Sequence, residues 1–112
     1  MPILIVEDQK FVAGMFKVFL AGHKIHVAHD GARALAIIEQ ESPNLIITDI
    51  ELPDMSGFDI LRRARAADIP VIVLTGSESY AARAIEEGAA LALTKPVTRA
   101  ALLAGVKAVK RR

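Results

Sequence analysis

The chain contains no cysteine, which excludes a disulfide framework and a thiolate metal site and suits a reducing compartment. Charge is not in excess of either sign: fourteen Lys and Arg stand against thirteen Asp and Glu, a formal net charge of +1. A chain so balanced lacks the positive field of an autonomous nucleic-acid binder, so no direct nucleic-acid contact is expected of it. Aromatic residues make up only 4% of the sequence. No apolar run approaches the length that spans a bilayer, and Pro2-Ile3-Leu4-Ile5-Val6 follows the first residue without a basic leader or cleavage site. A soluble, cytoplasmic protein without membrane contact is the expectation.

What is present is aliphatic. Hydrophobic residues are 53% of the chain, mostly Ala, Ile, Leu and Val, a composition that suits strands flanked by Ala-rich helices and argues against disorder. The 112 residues fit one domain, 1–112, large enough to bury a single core.

Ile3 to Val6 is an apolar run closed by Glu7-Asp8, and residues 9 to about 21 carry Val12, Met15, Phe16 and Phe19 at helical spacing. Gly22 ends that helix. A short strand from Ile25 to Ala28 follows, then a helix capped by Asp30 and carrying Leu35, Ile37 and Ile38. After the break at Ser42-Pro43-Asn44, Leu45, Ile46 and Ile47 form a continuous apolar run, the pattern of a central strand covered on both faces. Pro53 and Gly57 stop regular structure, and Ile60, Leu61 and Ala64 mark a helix to about residue 67. Val71 to Leu74 is a fourth strand ending at Thr75-Gly76, followed by a helix over about 78–87. Leu91 to Thr94 is a fifth strand ending at Lys95-Pro96, and Val97, Leu102, Val106 and Val109 mark the last helix. Five strand and helix units in alternation predict a doubly wound parallel sheet with helices on both faces.

Functional side chains stand at four of the five strand ends: Glu7 and Asp8, Asp49, Thr75, and Lys95. Alone, a strand-end Asp such as Asp49 more often caps a turn. In a doubly wound sheet, however, these ends share one edge, and in a flavodoxin-like order the first and third strands would be neighbours at the switch point where ligands bind. Three carboxylates in one crevice repel each other unless a cation lies between them, and oxygen-only ligands favour Mg²⁺. A carboxylate beside Mg²⁺ and a Lys ammonium can attack a phosphoryl group, with a hydroxyl such as Thr75 as a further donor. Aspartyl phosphorylation is the chemistry implied.

Here the sequence resembles the receiver domains of two-component response regulators over its whole length. Ile5-Val6-Glu7-Asp8 resembles the family's acidic pair, Asp49-Ile50-Glu51-Leu52-Pro53-Asp54-Met55-Ser56-Gly57 its phosphoacceptor loop, Leu74-Thr75-Gly76 its switch hydroxyl, and Thr94-Lys95-Pro96 its lysine. The resemblance implies a flavodoxin-like doubly wound (βα)5 sandwich with strand order 2-1-3-4-5. It implies that Asp49 is phosphorylated by a histidine kinase or histidine phosphotransfer protein. It further implies that Asp8 and Asp49 bind Mg²⁺ with the main-chain carbonyl of Glu51, that Glu7 acts mainly through metal-bound water, and that Thr75 and Lys95 hold the phosphoryl oxygens. A cis peptide before Pro96 is also implied. Such a module signals by changing its affinity for a target and is not an enzyme acting on a separate substrate. The face of helix 4, strand 5 and helix 5, with Leu91 and Ala92, is the expected target surface, on a monomer or weak dimer.

The chain departs from the family pattern at Ala92, where members commonly carry Tyr or Phe as a phosphorylation-sensitive switch. Readout is therefore expected from the backbone after Thr75. The Glu51 side chain is read as a solvated carboxylate at the site's mouth that tunes phosphoryl lifetime. His23, His26 and His29 are read as surface histidines, and Lys107, Lys110, Arg111 and Arg112 as cations suiting a helix C-terminus. Two other classes compete: a small Asp- and Mg²⁺-dependent phosphatase, for which the chain has no room for a cap, and a non-phosphorylated module of the same fold, against which the intact Glu7, Asp8, Asp49, Thr75 and Lys95 count.

Overall fold

Ile3, Leu4, Ile5 and Val6 are all fully buried because their strand has a neighbour on each side and helices over both faces. The structure, a computed structural model, describes residues 1–111. In chain order the elements are β1 (Pro2–Val6), α1 (Lys10–Phe19), β2 (Lys24–Ala28), α2 (Gly31–Glu41), β3 (Leu45–Asp49), α3 (Gly57–Ala66), β4 (Val71–Thr75), α4 (Glu78–Glu86), β5 (Leu91–Thr94) and α5 (Arg99–Lys110). The strands form one parallel sheet in the order β2-β1-β3-β4-β5. This is the order implied by the resemblance.

Successive side chains of a strand point to opposite faces, and the two cores follow that period of two. Leu4, Val6, Ile46, Val71 and Val73 pack with Ala34, Ile37 and Ile38 of α2, Ile60, Leu61 and Ala64 of α3, and Ala84 of α4. Ile3, Ile5, Leu45, Ile47, Ile72 and Leu74 pack with Phe16 of α1 and Leu102, Val106 and Val109 of α5. Each fully buried Ile or Leu contributes roughly 1.5–3 kcal/mol to the folded state. Since α1 covers one face and α3 the other, the chain leaves adjacent β1 and β3 in opposite directions. The crevice between their carboxyl ends therefore stays open, and it separates Glu7 and Asp8 from Asp49.

Caps set the helix boundaries. Asp30 accepts the Arg33 N–H at 2.8 Å to start α2, and Ser56 and Asp59 form a reciprocal capping box at α3. Thr98 accepts the Ala101 N–H at 3.1 Å, so α5 begins at Arg99 and Val97 lies before it, outside the helix to which its spacing assigned it. Val97 still packs on the core that Leu102 fills. α1 starts one residue later than its periodicity predicts, because the Gln9 N–H turns back to Glu7 Oε2 at 3.1 Å.

Candidate functional site

Asp49 ends the central strand with every apolar neighbour in place, and its side chain is only 2% exposed. The backbone after it folds back tightly: the Gly57 N–H donates to the Ile50 carbonyl at 2.6 Å. A Cβ on Gly57 would collide with the Asp49 carbonyl oxygen, so only glycine lets the start of α3 approach the strand end this closely.

Across the crevice, β1 delivers Glu7 and Asp8. One carboxylate oxygen from each of Glu7, Asp8 and Asp49 can be chosen so that all three lie within 4.8 Å of one another. Glu7 is buried and Asp8 exposed, so the cluster runs from the interior to the mouth. Burial is the main cause pushing the Glu7 carboxyl up to about 8; the Gln9 N–H opposes it, and Asp49 and Asp8 push it further. Glu7 is thus protonated at neutral pH when no cation is present.

Lys95 Nζ lies 2.9 Å from Asp49 Oδ1. Burial pulls its pKa down, but the Asp49 carboxylate, with Glu7 and Glu51, more than offsets this and the net shift is upward. The Lys95–Pro96 peptide is cis. Thr75 is buried at the end of β4, where its hydroxyl accepts the Ser77 N–H at 3.1 Å. The Glu51 side chain is exposed, and its backbone forms an antiparallel bridge with Ser56.

The donor set fits a hard divalent cation. Asp49 Oδ1 is buried yet receives no well-directed hydrogen bond, its contact with Lys95 being an ion pair. Three carboxyl groups this close together carry more negative charge than the one Lys95 ammonium balances, and a hard divalent cation would offset the remainder. Next to the acids, a cleft of about 420 Å³ opens between α1 and the β5–α5 loop, bordered by Val12, Met15, Phe16 and Val97.

Some partners were not legible from spacing. His29 lies at the site's edge, its Nδ1 donating to the Glu7 carbonyl at 2.9 Å, and Asp54 reaches the start of α2. The surface reading of the histidines holds only for His29: His23 and His26 are half-buried, with His23 Nδ1 and His26 Nε2 unpartnered among the described residues. Burial, then the N-terminus and Lys110, lowers the His23 pKa. Leu91 and Ala92 do not share a face either. Leu91 packs beneath α5, where Gly105 leaves room for it, whereas the neighbouring Ala92 points to the α4 side. Lys107 and Lys110 lie in the last turn of α5 and Arg111 caps it, while Arg112 lies outside the described residues.

A profile of the response regulator receiver domain matches residues 3–107. The chain belongs to that family. It is 34% identical to the transcriptional regulatory protein TrcR of Mycobacterium tuberculosis, over 98% of its own length and 45% of that protein's. It is 33% identical to the response regulator MprA of Mycobacterium avium, over 100% of its own length and 52% of that protein's. The receiver thus spans about half the length of the curated relatives it matches. Among solved structures, it superimposes on a CheY-like receiver domain protein from Methanospirillum hungatei with a TM-score of 0.89 at 32% identity, covering 96% of this chain and 91% of that one. It is a receiver domain of two-component systems, a signalling module, and none of its described helices is long and apolar enough to cross a membrane.

Proposed function

We propose that this receiver accepts a phosphoryl group on Asp49 from the phosphohistidine of a kinase or phosphotransfer protein. The observation that carries the reading is the convergence on one buried carboxylate of two further acids and a Lys ammonium 2.9 Å away. An Asp49 oxygen attacks phosphorus, the P–N bond of the donor breaks as the P–O bond forms, and the imidazole leaves with the electron pair and takes up a proton. Asp8, Asp49 and the Glu51 carbonyl are the residues that would hold Mg²⁺, with Glu7 outside the ligand shell. The chemistry a bound Mg²⁺ supplies is neutralisation of charge on the phosphoryl oxygens. Lys95 and Thr75 bind those oxygens, and the half-exposed Lys95 side chain lies at the site's mouth.

The phosphorylated module then changes its affinity for a protein target through the face of α4, β5 and α5, with Ala92 on its α4 side and Leu91 under α5. It turns over no separate substrate. One receiver domain over residues 1–112, working in the cytoplasm and making no direct nucleic-acid contact itself, completes the reading. Incubation with acetyl phosphate and Mg²⁺ followed by intact mass tests it: one added phosphoryl group is expected, absent in Asp49→Asn, and labelling that survives in Asp49→Asn overturns the assignment.

A further inference from the structure

The loop from Ile50 to Ser56 rests on the core through Ile50, Leu52 and Met55. Glu51, Pro53 and Asp54 are exposed, and Leu52 and Met55 are only partly buried. Its base is fixed by its own backbone, through the Glu51 to Ser56 bridge and the Gly57 to Ile50 hydrogen bond. Its tip is fixed from outside. Asp54 Oδ1 accepts the Gly31 N–H at 2.8 Å and Oδ2 accepts the Ala32 N–H at 2.9 Å. These are first-turn amides of α2 that the helix leaves without internal partners, and a helix N-terminus favours a carboxylate. Asp30 takes the Arg33 N–H of the same turn, so two carboxylates cap α2, one of them from the loop after Asp49. Met55 adds a packing clamp, for it lies so close over Gly31 that a Cβ there would collide with its side chain. The hydrogen bonds from Gly31 and Ala32 keep the Asp54 carboxyl below the usual carboxylate range, so it stays charged and acceptor-only at neutral pH.

We infer that Asp54 is a positioning residue for the metal and phosphoryl site, anchoring the loop to α2 so that the main-chain carbonyl of Glu51 is held fixed relative to Asp49. The inference rests on the phosphoacceptor reading above. Glu51 would contribute to a bound cation through its backbone, so its placement would depend on loop geometry rather than on a rotamer. Leu52 beside it packs on the core, and the Asp54 pair of hydrogen bonds ties the far side of the loop to α2. Outer partners of metal ligands act in this way, by fixing orientation without touching the ion.

The experiment compares wild type, Asp54→Ala, Asp54→Asn and Asp30→Ala. Mg²⁺ binding is followed by the amide resonances of residues 50–57, and the acetyl phosphate reaction by intact mass across a Mg²⁺ series. Asp54→Ala is expected to raise the half-saturating Mg²⁺ concentration about tenfold in both measurements, while the rate at saturating Mg²⁺ falls less than about threefold. Asp54→Asn keeps one acceptor oxygen and should fall between, which preserves the test if the alanine variant does not fold. Asp30→Ala removes the helix's own cap, and should lower the melting temperature without moving the Mg²⁺ dependence. Equal Mg²⁺ dependence in wild type and Asp54→Ala, or an equal shift in Asp30→Ala, overturns the positioning role. A wild type that binds Mg²⁺ but takes up no phosphoryl group overturns the phosphoacceptor reading instead.

Discussion

At neutral pH the Glu7 carboxyl, buried beside Asp49 and Asp8 and pushed up to about 8, keeps its proton when no cation is bound. The unfolded chain releases that proton near the ordinary value of 4.5, so between 4.5 and about 8 the native state binds more protons than the unfolded one. Stability contributed by this group is full below the lower value and is lost as pH rises through the upper one. Melting temperatures in chelator should therefore fall across that window, and Glu7→Gln should flatten the decline. A decline of equal steepness in Glu7→Gln would show that another group is responsible. A cation replaces the proton, so Mg²⁺ should raise the melting temperature more at the alkaline end. Gly57→Ala offers a steric test at the same scale. Its methyl group would meet the Asp49 carbonyl, and a loss of about 1–3 kcal/mol in denaturant unfolding is expected. Glu7, Asp8, Asp49, Thr75 and Lys95 were legible as a group because each follows an apolar run and so stands at a strand end. His29 and Asp54 were not, because their partners are backbone groups more than twenty residues away, which no local pattern announces.

Among the elements, the start of α4 is the one tied most directly to the site. Ser77 caps the helix by accepting the Tyr80 N–H at 3.2 Å, while its own N–H donates to the Thr75 hydroxyl at 3.1 Å. Turning the Thr75 hydroxyl toward a phosphoryl group removes the acceptor for that N–H. Faster amide exchange over Ser77 to Tyr80 on phosphorylation is the expected result, and unchanged exchange there would contradict this coupling. Ser77→Ala should cost about 1 kcal/mol through the lost cap, detectable by denaturant unfolding. Further along α4, Tyr80 meets Phe58 edge-on at 5.8 Å between ring centres and Arg83 lies 3.8 Å over the same ring, so movement of α4 is felt by α3. The elements themselves were legible because apolar runs of four or five residues alternate with helical spacing. Two details were not. Val97 fits the helical period yet lies before the Thr98 cap, and strand alternation sends Leu91 under α5 and Ala92 toward α4.

For the whole molecule, alternation of strand and helix fixes a parallel sheet but not its order, since nothing in a strand's own residues names its neighbour. The order came from the resemblance, and β2-β1-β3-β4-β5 brings the ends of β1 and β3 together. That adjacency makes one site out of residues as far apart in sequence as Glu7 and Lys95. Ligand binding to the native state alone stabilises it by mass action, so Mg²⁺ should raise the melting temperature of wild type and much less that of Asp8→Ala. An equal rise in both would remove Asp8 from the ligand set. The most direct measurement is fragment mass spectrometry of the whole protein after reaction with acetyl phosphate and Mg²⁺, which locates the added group. Phosphorylation on Asp49 alone, abolished by chelator, is expected; a group found on His23, His26 or His29, or none at all, would contradict the assignment of Asp49 as the acceptor.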